Sequence, residues 1–281
     1  MQLYKTSTKN ILVHEEKAYA VDGDWDNIIN QENLYESLKQ FISTGNEISK
    51  QDQEDLIKNK IQTPVGTQEL WAAGVTYLRS RDARMEESKT GGGADFYQKV
   101  YEAERPELFF KSLPHRISAY GEPVYIRKDS SWNVPEPELT LYINSKGSIQ
   151  GYTIGNDMSS RSIEGENPLY LPQAKMYERS AALGPCLYIP SQPISKDTNI
   201  SLSITRKSEN VFSGTIQLNR MKRELTELAG YLYREFIFPS GCFLMTGTGI
   251  VPPDHFTLEP GDVVEISIDK IGVLKNIVST Q

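Results

Sequence analysis

The sequence predicts an α+β protein that is mostly β, with a small α/β segment at its N-terminus. Three observations carry this reading. From about Val65 onward, β-branched and aromatic residues fall in short alternating runs separated by Gly, Pro, Asn and Asp clusters, the pattern of strands joined by turns. Beyond that point only a few windows have helical spacing; the clearest is 222–234, with Leu225, Leu228, Ala229 and Leu232 on one face. Residues 1–64 instead read as short strands, one helix and a polar, charged stretch. We therefore expect a small domain over 1–64 and a larger one over 65–281. A chain of 281 residues buries a substantial core without help from metals or disulfides.

Taken in order, strands are expected at 2–4, 11–14 and 17–21, and a helix at 34–43. The following GNEISKQDQEDLIKNK is weakly periodic and reads as a surface helix or loop. Helices are expected at 94–104 and 173–181 as well as at 222–234. The segment KTGGGAD at 89–95 is a low-complexity loop, suited to cover a site or simply to be exposed. The run SWNVPEPELTLYI, the turn signal NSKG and the run from Ser148 to Ile154 make a hairpin.

That hairpin carries the main chemical signal. Residues at i and i+2 of a strand share a face, so Glu136, Glu138, Thr140 and Tyr142 lie on one side. Pro137, Leu139, Leu141 and Ile143 lie on the other. If Ile143 pairs with Ser148, Glu136 falls opposite Gly155, and Asp157 in GYTIGNDMSSR is two residues further on. Three crowded carboxylates repel unless a hard cation such as Mg²⁺, Mn²⁺ or Ca²⁺ neutralises them through oxygen ligands. The plain alternative is that the ExE is the solvated face of an ordinary antiparallel strand.

Three further residues stand out. Lys175, in PQAKMYE, is flanked by small and apolar residues, where an unpartnered ammonium is costly; its plain alternative is a lysine on the surface of a helix. Glu107, in RPELFFK, stands at the mouth of an apolar strand, where desolvation raises a carboxyl toward the range of a general acid or base. Its alternative is a salt bridge to Arg105 or Lys111. Thr248, in TGTGIVPP, lies between glycines that fit a tight turn whose backbone N–H groups face an anion, or a plain strand connection.

The formal net charge of −7 and the pI near 5.2 argue against nucleic acid; no Lys/Arg block stands out, and KRE at 222–224 is too short for such a surface. Cys186 and Cys242, flanked by apolar residues and by Gly or Pro, read as buried reduced thiols. MQLYKTSTKN has no apolar signal region, and no window holds 18 uninterrupted apolar residues. A cytoplasmic protein with no membrane partner is expected.

The motifs WAAGVTY (71–77), RPELFFK (105–111), PEPEL (135–139), NDMSSR (156–161), Lys175, GPCLYI (184–189), FPSGCFLMTGTG (238–249) and the PGD turn (260–262) occur in an order that resembles the fumarylacetoacetate hydrolase family. RPELFFK, ENPLYLPQAK and WNVPEPEL look most like its 2-keto-3-deoxy-sugar-acid dehydratase branch. The resemblance implies a mixed β-sandwich roll or barrel, a homodimer or homotetramer, and a 2-keto acid substrate. It also implies a divalent metal, Mg²⁺ before Mn²⁺ or Ca²⁺, on Glu136, Glu138 and Asp157. Lys175 matches the active-site lysine, an electrostatic partner for an enolate oxygen or, as a lesser use, a Schiff-base amine. Glu107 matches the proton-transferring glutamate. Arg81 and Thr248 match substrate-binding positions, with Arg79 and Arg84 as alternatives to Arg81. The implied reaction is loss of water from a 2-keto-3-deoxy pentonate to give 2,5-dioxopentanoate. The rival on the same scaffold is C–C hydrolysis of acylpyruvates or 2,4-diketo acids, for which relatives use a histidine shortly after the tyrosine of the first motif. Here Leu78, Arg79, Ser80 and Arg81 follow Tyr77, and the histidines are His14, His115 and His255.

Overall fold

The alternating runs pair into two sheets. The structure, a computed structural model, describes residues 1–78, 85 and 94–281. Arg79, Arg81, Arg84 and most of KTGGGAD lie outside the described residues.

Four N-terminal strands, β1 (Gln2–Tyr4), β2 (Asn10–His14), β3 (Lys17–Val21) and β4 (Glu47–Ile48), form an antiparallel meander. It joins the main sheet where Gln2 and Leu3 pair with Tyr188 and Leu187. That sheet also takes β5 (Leu70–Gly74), β6 (Glu107–Ser112), β7 (Ile117–Ser118), β9 (Asn133–Ile143), β10 (Ile149–Ser160), β11 (Ala181–Tyr188) and β14 (Cys242–Met245). Its order is β4-β3-β2-β1-β11-β10-β9-β14-β5-β6, with β7 on β11. A second sheet orders β13 (Glu209–Gln217), β12 (Asn199–Arg206), β15 (Val263–Ile268), β16 (Gly272–Ser279) and β8 (Pro123–Tyr125). The fold is mostly β and α+β, as expected; among the described residues neither sheet closes into a barrel.

The long hairpin β9–β10 lies at the centre of the main sheet and is covered on both sides. Leu139, Leu141 and Ile143 pack with Leu202, Ile204, Val264, Ile266 and Leu274 of the second sheet. Tyr142 and Phe243 pack toward Trp25, Ile29, Leu34 and Leu38, which lie on two N-terminal helices, Trp25–Ile29 and Leu34–Ile42. Every residue of β9 is therefore buried, and the reading of its acidic face as solvated is excluded.

The hairpin register differs from the expected one by two residues. Ile143 pairs with Ile149, a bulge follows, and Gly151 pairs with Tyr142. One residue comes from the turn, where the Asn144 side chain accepts from the backbone N–H groups of Lys146 and Ser148, and the other from the bulge between Ile149 and Gly151. A slip of two preserves the face each side chain occupies, whereas a slip of one reverses it. The change brings Asp157 directly opposite Glu136.

The polar stretch after Ile48 is a helix, Lys50–Lys60, whose N-cap Ser49 accepts from Asp52 N. The expected 94–104 and 222–234 helices are observed as Ala94–Glu102 and Leu225–Leu232. The expected 173–181 helix is a correction. The helix is Leu171–Lys175, Arg179 has φ of 50°, and Ala181 already begins β11. Pairing on both edges of this end of β11, to β10 and β7, overrides the helical propensity of Ala181 and Ala182. No helix among the described residues is long and apolar enough to cross a membrane.

Candidate active site

The β9–β10 ladder delivers the three carboxylates to one place. Glu136 faces Asp157 across the pair, and Glu138 faces Gly155. A Cβ on Gly155 would lie 2.4 Å from Thr140 Oγ1, so the glycine leaves room on this face. Glu136, Glu138 and Asp157 are 5%, 1% and 1% exposed, and one oxygen of each lies within 4.8 Å of the others. Ligands on one ion at about 2.0–2.6 Å sit roughly 4–5 Å apart when opposite, and an all-oxygen donor set suits Mg²⁺, Mn²⁺ or Ca²⁺. The residues fit a divalent cation.

Around them lies a buried set of cations. Lys175, wholly buried, donates to Glu136 Oε2 at 2.7 Å, Asp157 Oδ2 at 3.0 Å and Ser159 Oγ at 2.6 Å. All three N–H bonds are thereby directed to acceptors, which suits electrostatic work rather than Schiff-base attack. Lys111 reaches Asp157 Oδ1 at 2.5 Å and donates to the carbonyls of Met158 and Lys175. Arg161 pairs with Glu136 Oε1 at 2.7 Å and lies 3.8 Å from Glu164. Lys111 and Arg161 were not among the expected site residues. A signal for Lys111 was present, since Glu107, Phe109 and Lys111 share one face of β6 by alternation.

Glu138 has the different environment. Its Oε2 accepts from Gly247 N at 2.6 Å. Burial first, then the neighbouring Asp157 and Glu136 charges, push its carboxyl well above the usual carboxylate range. The folded chain thus keeps a proton that the unfolded chain loses once pH passes the ordinary carboxylate value. Glu138 consequently costs stability as pH rises through that window. A dication held by the triad would replace this proton. Thermal stabilisation by Mg²⁺ or Mn²⁺ is expected to grow as pH rises above the ordinary carboxylate range, with proton release on binding. Calorimetric titrations in buffers of different ionisation enthalpy measure that release, and a pH-independent affinity without it would contradict the expectation.

Glu107 opens β6 and pairs with Gly74 of β5, which lines the same pocket as the triad. A Cβ on Gly74 would fall 2.0 Å from Glu107 Oε2, so the carboxylate rests against the bare glycine. Lys111, the alternative partner considered for Glu107, is held at Asp157. Thr248 is 3% exposed, lines the pocket with Phe109, Lys175 and Gly247, and exchanges hydrogen bonds with Ile250. The turn N–H that faces an acidic group is that of Gly247, and the group it meets is the Glu138 carboxyl. Gly247 has φ of +90° and no space for a Cβ beside Thr76 Oγ1. His255 and His115 are exposed, and no histidine lines the pocket among the described residues. A larger cavity of about 720 Å³ lies elsewhere, between the 32–36 and 223–230 segments, and holds no comparable acidic cluster.

Comparison with known proteins agrees with this geometry. The Fumarylacetoacetate (FAA) hydrolase C-terminal family matches residues 84–279. A Haloferax volcanii protein named "Probable 2-keto-3-deoxyxylonate dehydratase" is 46% identical over 218 residues, 77% of this chain and 74% of the relative. The 2-dehydro-3-deoxy-D-arabinonate dehydratase of Saccharolobus solfataricus is 40% identical over 240 residues, 82% of this chain and 80% of its own. A solved 2-keto-3-deoxy-D-arabinonate dehydratase complexed with magnesium and 2,5-dioxopentanoate superposes with a TM-score of 0.83 at 33% identity, covering 100% of this chain and 99% of that one. By family match, identity and fold together, the chain belongs to the fumarylacetoacetate hydrolase family.

Proposed function

We propose that the protein is a metal-dependent dehydratase that eliminates water from a 2-keto-3-deoxy sugar acid, with a pentonate as substrate and 2,5-dioxopentanoate as product. The carrying observation is the buried triad of Glu136, Glu138 and Asp157, braced by Lys175, in a chain so similar to two sugar-acid dehydratases. Glu136, Glu138 and Asp157 would hold a divalent cation such as Mg²⁺, which when bound would supply a Lewis acid for the 2-keto group and so acidify the C3 hydrogens.

In this reading Glu107 takes a C3 proton. Lys175 offsets the negative charge that grows on the C2 oxygen. The C4 hydroxyl leaves as water, carrying the proton returned by Glu107 or by a bound water, and leaves a C3=C4 double bond conjugated to the 2-keto group. Loss of a C5 proton and protonation at C3 move it to C4=C5, and that enol tautomerises to the aldehyde by protonation at C4. Thr248 and Arg81 are assigned to hold the substrate carboxylate and hydroxyls. Thr248 is supported by its position in the pocket, Arg81 by sequence match alone. Elimination is favoured over C–C hydrolysis because, among the described residues, no histidine lines the pocket to activate water. We also assign a cytoplasmic setting, supported by the two buried free cysteines, and a homodimeric or homotetrameric assembly, as the family resemblance implies.

The test is direct. With Mg²⁺ present, 2-keto-3-deoxy pentonates should be converted to an aldehyde product, while acylpyruvates are left intact. Release of pyruvate from acylpyruvates without aldehyde formation from the pentonates would establish the hydrolase instead.

A further inference from the structure

The basic run KRE, too short for a nucleic-acid surface, is fully used in the fold. Glu224 caps the Leu225–Leu232 helix through a capping box with Glu227. Lys222 and Arg223 turn the opposite way, to the end of the Ala94–Glu102 helix. Arg223 Nη1 donates to Glu104 O at 2.7 Å, and Nη2 to Ala103 O at 2.6 Å and Val100 O at 3.3 Å. Its remaining bond is to Glu227 at 2.6 Å. Lys222 Nζ donates to Tyr101 O and stands 4.4 Å from the centre of the Tyr101 ring. Tyr231 adds a bond from its hydroxyl to Glu104 Oε1 at 3.1 Å.

Cations at a helix C-terminus commonly satisfy its last carbonyls. Two features go beyond that. Arg223 is only 8% exposed, and three of its four bonds fall on residues 100–104, which run through Arg105 and the buried Pro106 straight into Glu107. Proline fixes its own φ, so a displacement of the Glu104 carbonyl passes to the start of β6 with little slack. The same short segment holds the other side of the pocket. Lys222 N donates to Thr76 O at 2.9 Å, and Met221 bridges Tyr77. Those two residues continue from β5, whose Gly74 is the partner of Glu107.

We infer that Arg223 is a positioning residue for Glu107, setting its carboxylate for proton transfer without touching substrate. The inference rests on the assignment of Glu107 as the proton-transferring group. A proton-transfer group must lie within hydrogen-bond reach of its proton, and a shift of about 1 Å produced at a distance can cost roughly a hundredfold.

Arg223→Gln is expected to lower kcat by roughly tenfold to a hundredfold, with the Mn²⁺ affinity of the unaltered protein. Exchange of C3 hydrogens of 2-oxobutanoate with D₂O, which reports proton abstraction without elimination, should fall by the same factor. Arg223→Lys, which keeps the charge but not the forked donor set, should lie between. Arg223 lines the 720 Å³ cleft, so added guanidinium can reach the space left in Arg223→Gly and should restore part of both rates. A role in stability alone predicts the reverse, with lower thermal stability and metal affinity and no recovery on adding guanidinium. Unchanged kcat and exchange in Arg223→Gln, or in Arg223→Lys where the glutamine variant fails to fold, overturns the inference. Wild-type exchange in Glu107→Gln overturns the Glu107 assignment instead.

Discussion

Glu107→Gln is expected to lose turnover by roughly a hundredfold to ten-thousandfold, the range that a positioned acid or base contributes. Metal binding should be retained. The side chains are nearly isosteric, so the amide fits the space beside Gly74 where even one added carbon would fall 2.0 Å from the carboxylate oxygen. What the amide lacks is an oxygen basic enough to take a C3 proton. Glu107 lies outside the acidic cluster of Glu136, Glu138 and Asp157, so the donor set for a dication is untouched. Rates of aldehyde formation and Mn²⁺ titration by calorimetry, on the same sample, separate these effects. A Glu107→Gln enzyme of normal activity would sink the assignment, and one that lost metal affinity would make Glu107 a ligand. Glu107→Asp, one methylene shorter, should retain a small fraction of the rate, because the group survives but its reach does not.

How much of this was legible in the sequence depended on whether the cause was local. Alternation in PEPELTLYI put Glu136 and Glu138 on one face, and the observed strand obeys it. The strands at Gln2–Tyr4 and Lys17–Val21 were equally clear, because turn signals bound them closely. Register was not legible to the residue, since the Asn144 side chain reorganises the turn and a bulge follows it. Nor was burial of the acidic face, because the layers that cover the hairpin come from residues 25–42 and 200–274. The counter-charges were missed for the same reason. Lys111 is separated by 46 residues from Asp157 and reads locally as a partner for Glu107; only the order of the sheet and the placement of β6 bring it to β10. The early end of the helix at Lys175 follows from two-sided pairing of the start of β11 with β10 and β7, again a decision made far from the sequence it alters.

Lys175→Met gives the second large effect, and its value is that stability and chemistry should part company. The substitution keeps the length of the chain and removes the ammonium that bridges Glu136 and Asp157. Losing one member of a buried ion pair commonly costs about 3–5 kcal/mol. Here the lower end is expected, because Arg161 still holds Glu136 and Lys111 still holds Asp157. A dication can offset most of it, since saturation at about 100 times Kd contributes roughly 2.7 kcal/mol. Removal of a nearby positive charge also favours the cation, so Mn²⁺ should bind at least as tightly as to the unaltered protein. Turnover should not return with stability if Lys175 acts as proposed, because a metal-loaded Lys175→Met would lack the ammonium that offsets charge on the C2 oxygen, a loss of roughly a hundredfold to a thousandfold in kcat. Thermal unfolding with and without Mn²⁺, read beside the rate of aldehyde formation, decides the matter. Recovery of both would reduce Lys175 to a structural counter-ion, whereas recovery of stability alone keeps it in the chemistry.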